Sequence, residues 1–207
     1  MQDKTIVDDL ANPDYRVRMR AIHVLVEQRH AEAVPLLFPF LHDRKIPVRS
    51  AAIVALGAFA DQQAFEPLVT CLAAPTSLER KHAVQALVAL EDPRRRDPLL
   101  DALKTEMNAS VRVELIKAVS VFPEEKVLEM LIQLVRDRDE DVRAVAAIAL
   151  GKMRQPRAIP ALQQMALADT NEETLVHGLW EQNSSLAQRA LQMILHPEQE
   201  QDIGWPD

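Results

Sequence analysis

Apolar residues recur along this chain in fixed register with five arginines, Arg18, Arg49, Arg80, Arg112 and Arg143, spaced by 31, 31, 32 and 31 residues. With each arginine as position zero, +3 reads Ala21, Ala52, Ala83, Leu115, Ala146 and +4 reads Ile22, Ile53, Val84, Ile116, Ala147. Position +7 reads Leu25, Leu56, Leu87, Val119, Leu150. Apolar residues at +3, +4 and +7 form one face of a helix. Position +6 is Val24 and then Ala55, Ala86, Ala118, Ala149, so neighbouring helices are expected to approach closely there. A period near 31 residues marks a solenoid, in which each repeat is one supersecondary unit stacked on the next.

A second ladder, Pro35, Pro67, Pro98 and Pro160, marks the helix before each arginine helix. Proline costs a helical hydrogen bond outside the first turn, so the first helix of each repeat is expected to be short or kinked. Asp14, Ser77, Ser110 and Asp139 are the expected N-caps. The pattern predicts helices over 4–10, 14–28, 31–42, 47–59, 62–73, 77–90, 94–106, 110–121, 124–136, 140–153 and 157–168. A capping-box spacing, Thr170-Asn171-Glu172-Glu173, then opens a short helix over 171–181, and another runs from Asn183 to about Leu195. Segment 171–195 carries no ladder arginine and is expected to be an irregular last repeat and cap, since a solenoid end must hide its last apolar face. The expectation is an all-α solenoid of about six two-helix repeats over 1–195, with a loose polar tail over 196–207.

The run Asp-x-x-x-x-Val-Arg followed by Ala-x-x-Ala-Leu-Gly, fullest at Asp43–Gly57 and Asp137–Gly151, resembles HEAT repeats, as do Ala33-Val34-Pro35-Leu36-Leu37 and Ala158-Ile159-Pro160-Ala161-Leu162. The short period is similar to the lyase-type HEAT-like repeats of phycobilin lyase subunits. The resemblance covers about residues 1–169 and rests on structural residues. It implies scaffolding, chromophore attachment to or removal from phycobiliproteins, or a part in iron–sulfur assembly. Asn12, Ala74 and Glu106 replace the turn aspartate, and Glu79 stands where other repeats carry valine; these departures predict weakened junctions.

Charge and composition narrow the function. A net charge of -7 and a pI near 5.4 lack the basic balance of a nucleic-acid binder. The basic run Arg94-Arg95-Arg96 lies beside Asp92 and Asp97 and reads as a solvated helix start. A single cysteine, Cys71, excludes an internal disulfide. No apolar run reaches membrane-spanning length, and the N-terminus has no apolar signal core, so a reducing, cytoplasmic setting is expected.

Candidate chemistry is sparse. None of the six histidines lies three or four residues from another on one helix, and none is followed by glutamate. No metal site, no cofactor and no catalytic residue is therefore expected, and the His-Glu pairs of the di-iron hydroxylase that shares these repeats are absent. Phosphate loops, serine-nucleophile elbows and zinc-protease motifs are missing too. Cys71 has no local base to activate it.

The informative surface is the part of each arginine helix that leaves the core face, at +1, +2 and +5, which should line a concave wall. There the repeats stop agreeing: +1 is Met19, Ser50, Lys81, Val113, Ala144; +2 is Arg20, Ala51, His82, Glu114, Val145; +5 is His23, Val54, Gln85, Lys117, Ile148. The expected contacts with a protein partner are Met19, His23, Val54, Lys81, His82, Val113, Lys117, Val145 and Ile148, with Trp180 as an aromatic anchor or a core residue. Ala144, Val145 and Ile148 form an apolar patch that either meets a partner or is covered by 171–195. The main reading is a non-catalytic interaction scaffold; the alternative, carried by the resemblance, is a phycobilin lyase subunit or a phycobiliprotein chaperone or degradation factor.

Overall fold

The computed structural model describes residues 2–30, 32–168, 180–198 and 205. All regular structure among them is helical, as expected of an α-solenoid. The chain divides into two compact units, Met1–Thr105 and Glu106–Asp207.

In the first unit, α1 (Gln2–Leu10) and α2 (Tyr15–Glu27) lead into α3 (Ala33–Leu37), α4 (Ile46–Phe59), α5 (Phe65–Cys71), α6 (Ser77–Ala89) and α7 (Arg96–Thr105). The proline-bearing helices are short, as the ladder implies. Pro35, Pro67 and Pro98 are each the third residue of their helix, where a missing N–H breaks no bond. One expected helix, 31–42, is broken: α3 stops at Leu37 and a 3-10 turn, Phe38–His42, replaces its second half. Pro39 lacks the N–H needed to continue α3. Short 3-10 turns, Gln62–Ala64 and Pro93–Arg95, open the next two repeats.

In the second unit, α8 (Ala109–Val119), α9 (Glu125–Leu134), α10 (Glu140–Met153), α11 (Ile159–Ala168) and α12 (Trp180–Leu195) follow the same scheme. The expected helix 171–181 lies outside the described residues, apart from its end in α12. The +3, +4 and +7 columns are buried throughout, including Ile22, Leu25, Ile53, Leu56, Leu87, Leu115, Ile116 and Leu150. Four second-helix ends turn through left-handed residues at one repeat position, +11: Arg29, Ala60, Glu91 and Arg154, with φ of 49–53°. In the fourth repeat the same position is Pro123, whose ring forbids that conformation.

Asp14 and Asp139 cap α2 and α10 as expected, accepting from the backbone N–H of Arg16 and Val142. Two caps fall earlier than expected. Thr76, not Ser77, caps α6, and Asn108, not Ser110, caps α8.

The ladder arginines pin the loop before their own helix, and Arg18, Arg49 and Arg112 also join one repeat to the next. Nη1 of Arg18, Arg49, Arg80 and Arg143 donates to the carbonyl six residues back, at Asn12, Asp43, Ala74 and Asp137, at 2.8, 2.9, 3.0 and 2.8 Å. Arg18 also grips the Asp43 carboxylate at 2.8 and 2.9 Å, and Arg112 grips Asp137 at 2.9 and 2.5 Å. At the junction with Ala74 the structure corrects the expectation of weakness. Glu79 reaches from α6 and pairs with Arg49 at 2.5 and 3.2 Å, supplying the carboxylate that the turn lost. The Thr76 hydroxyl donates to the same carboxylate at 2.5 Å. The two departures from the repeat pattern compensate each other.

Burial pushes the carboxyls of Asp43, Glu79 and Asp137 up. The arginine facing each one, with backbone N–H donors and the Thr76 hydroxyl, outweighs burial and holds all three below the ordinary carboxylate range. A depressed folded pKa gives stability that is fully present above the unfolded pKa, about 4, and is lost as pH falls through the folded value. The urea midpoint is therefore expected to stay level from pH 7 to about 5 and to drop steadily below about pH 4. A midpoint at pH 3 equal to that at pH 7 would contradict these pairs.

Candidate interaction surfaces

In the first unit α2 packs on α4 and α4 on α6. Their +5 residues, His23, Val54 and Gln85, are all exposed, Val54 by 48%. Met19, Lys81 and His82 are half-buried around them. Burial and the neighbouring Lys81 charge push the His82 imidazole down, and its Nδ1 is buried without a hydrogen-bond partner. A neutral imidazole and the Lys81 ammonium thus sit side by side on α6, and an exposed valine lies on α4, which packs against it.

The second unit treats the same columns differently. Val113 on α8 is half-buried, but Val145 and Ile148 on α10 are each 1% exposed. This corrects their assignment as partner contacts: they are core residues. For Ile148 the reason is α12, which packs along α10 and α11. Met193 of α12 is buried against Ile148, with Leu186 packed beside them. The Cα of Ala190 lies where a Cβ on Gly151 would come within 2.9 Å. In the first unit Gly57, at the same repeat position, faces Ala86 of α6 in the same way, at 2.8 Å. Helix α12 therefore occupies, against α10, the place that α6 takes against α4.

Trp205 also departs from the expected loose tail. It is half-buried on the Ile148–Met193 cluster. The ammonium groups of Lys152 and Lys117 lie 4.7 and 5.8 Å from its ring centroid, within cation–π range. Lys117, expected to face a partner, instead faces this ring. Trp180 is the first residue of α12, but its side chain lies outside the described residues. The sequence did carry a signal for Trp205: a tryptophan in an otherwise polar tail is a large apolar group with no reason to stay in water.

The first unit also holds a cavity of about 720 Å³, walled by Phe38, Leu41, Ile53, Cys71 and the small Ala73 and Ala74. Three of its charged groups, Asp43, Arg49 and Glu79, are already engaged in the junction pairs. Burial, and then the Glu79 charge, push the Cys71 thiol up to about 11, so it is held protonated and is a poor nucleophile. Among the described residues no group of three or more His, Cys, Asp or Glu is placed to hold a metal ion, and no helix is long and apolar enough to cross a membrane.

The comparisons agree with this architecture. HEAT repeats match residues 4–88 and 96–180. The chain is 28% identical over 161 residues to phycocyanobilin lyase subunit beta of Nostoc sp. (strain PCC 7120), a match covering 70% of this chain and 77% of that protein. It is similar in fold to a designed armadillo repeat protein in complex with the peptide (KR)4, with a TM-score of 0.60 and 21% identity, covering 90% of this chain and 98% of that one. A second armadillo repeat protein, designed for modular peptide recognition, gives a TM-score of 0.59 and 22% identity over 91% of this chain and 98% of that one. At these identities the likeness to solved structures is one of fold. With two matched spans that together take up most of the sequence, and with the arginine junctions and paired helices in place, the chain belongs to the HEAT-repeat family.

Proposed function

We propose that this chain is a non-catalytic binding module for another protein, with the +1, +2 and +5 face of the first unit as its contact surface. The observation that carries the reading is the exposed row His23, Val54 and Gln85 on three adjacent helices, flanked by Met19, Lys81 and His82. An apolar residue left in water among polar and charged neighbours is the composition of a contact surface. In this reading the chain works in a reducing, cytoplasmic setting that keeps Cys71 a thiol. No cofactor, membrane or nucleic acid takes part.

The test is the double variant His23→Glu, Val54→Glu, with helicity and urea midpoint held to those of the parent. Recovery of the native partner from source lysate should fall at least about ten-fold, as expected for losing a contact worth more than 1.4 kcal/mol. Undiminished recovery would remove this face from the reading.

A second reading is favoured by the likeness to the lyase subunit: the partner is a phycobiliprotein, and the chain assists attachment or removal of its chromophore. Visible absorbance in the co-purified complex distinguishes it. A complex without bilin, and no bilin transfer, detachment or phycobiliprotein binding by the purified chain, would eliminate it.

A further inference from the structure

The second unit carries a site of another kind, independent of the open face of the first. Lys117 on α8 and Lys152 on α10 direct their ammonium groups at one aromatic ring, whose floor is the Ile148–Met193 cluster. The occupant is Trp205, three residues from the end of the sequence given, counting itself. The stretch from His196 to Asp207 is acidic, with Glu198, Glu200, Asp202 and Asp207 and no lysine or arginine. Arg154 donates to the carbonyl of Pro197 at 3.2 Å, which ties the start of this stretch beside the same helix.

Three features set this contact apart from ordinary core packing. The ring is half-buried rather than buried. It is held by cation–π attraction to two ammonium groups as well as by apolar contact. It belongs to none of the described helices. A slot with an apolar floor and two cationic walls selects an aromatic side chain on an acidic segment.

We propose that the Lys117–Lys152 slot is a peptide-binding site for a tryptophan carried on an acidic segment of a partner protein, and that Trp205 fills it when no partner is engaged. The tail then acts as a competitor in cis. A tethered competitor works at an effective concentration on the order of millimolar, so a partner segment must bind better than the tail or arrive where the tail is held away.

The experiment uses the full chain with and without Trp205→Ala. The probe is a fluorescein-labelled synthetic peptide with the sequence of residues 196–207, followed by anisotropy at low salt. The Trp205→Ala protein is expected to bind the peptide at least about ten-fold more tightly than the parent, since the cis competitor is gone. Adding Lys152→Glu should reverse that gain, and raising the salt should weaken binding. A peptide in which alanine replaces the tryptophan should not bind. Equal affinity of parent and Trp205→Ala, or no binding to Trp205→Ala while its circular dichroism matches the parent, would overturn the proposal. So would a concentration-dependent dimer of the parent that Trp205→Ala abolishes, because the slot would then belong to a second copy's tail.

Discussion

Replacing Glu79 with alanine should lower the stability of the first unit by about 3 kcal/mol, the low end for removing one partner of a buried ion pair. With a urea slope of about 1.5 kcal/mol/M, that is a fall of roughly 2 M in the midpoint. The low end applies because Arg49 keeps some access to water, with its side chain 18% exposed against 1% for Glu79. The loss combines several things. Arg49 forfeits both carboxylate contacts, Thr76 forfeits its side-chain acceptor, and a half-buried guanidinium is left with only Asp43, whose carboxylate Arg18 already grips, as counter-charge.

A second substitution makes this more than a deletion experiment. In the neighbouring junctions the carboxylate comes from the turn, as Asp43 or Asp137, and the helix position equivalent to 79 holds Val17, Val48, Val111 or Val142. The double variant Ala74→Asp, Glu79→Val rewrites the third repeat in that common form. It should recover most of the midpoint lost in Glu79→Val alone, because the Ala74 backbone already holds the loop carbonyl that Arg80 grips at 3.0 Å. Failure to recover would mean that Glu79 does something beyond replacing the turn aspartate.

This junction also shows where sequence reasoning ran short. Ala74 and Glu79, taken singly, each break the repeat pattern, and each reads as a weakness. They make sense only together, because a glutamate one turn into the helix reaches the same guanidinium as an aspartate in the loop. The arginine ladder and the core columns were legible because each repeat places them in the same environment. Ile148 was not, because what packs on it lies outside the periodic part of the chain: Met193 of α12 and Trp205 supply covering surface, and neither carries the ladder register. A repeat pattern tells which face a residue is on; it does not tell what sits against that face. The caps slipped by one or two residues for a smaller reason. Thr76-Ser77 and Asn108-Ala109-Ser110 offer competing oxygens, and the choice between them depends on where the loop enters the helix.

Gly57→Ala should destabilise the first unit by about 2 kcal/mol, although alanine favours a helix interior over glycine by about 1 kcal/mol. Two effects oppose each other here, and geometry decides the sign. An added Cβ at position 57 would lie 2.8 Å from both Cα and Cβ of Ala86. Real Cβ atoms do not come that close, and the obstacle is the body of α6 rather than the end of a flexible side chain. Relief requires α4 and α6 to separate along a seam that buries Ile53, Leu56, Val84 and Leu87, where a small gap forfeits many contacts at once. The exchange Gly57→Ala with Ala86→Gly moves the methyl group across the interface without adding volume. It should be more stable than Gly57→Ala alone, despite placing a glycine in α6, and the cycle should give a favourable coupling of 1 kcal/mol or more by order of magnitude. Gly57→Ala with a midpoint equal to or above the parent's would mean that the helices can part cheaply. The +6 and +8 positions would then not set the spacing between repeats. If the cycle does show coupling, Gly57 and Ala86 are the contact that lets α4 and α6 lie close enough for the Arg49 guanidinium to reach the Glu79 carboxylate of the next repeat.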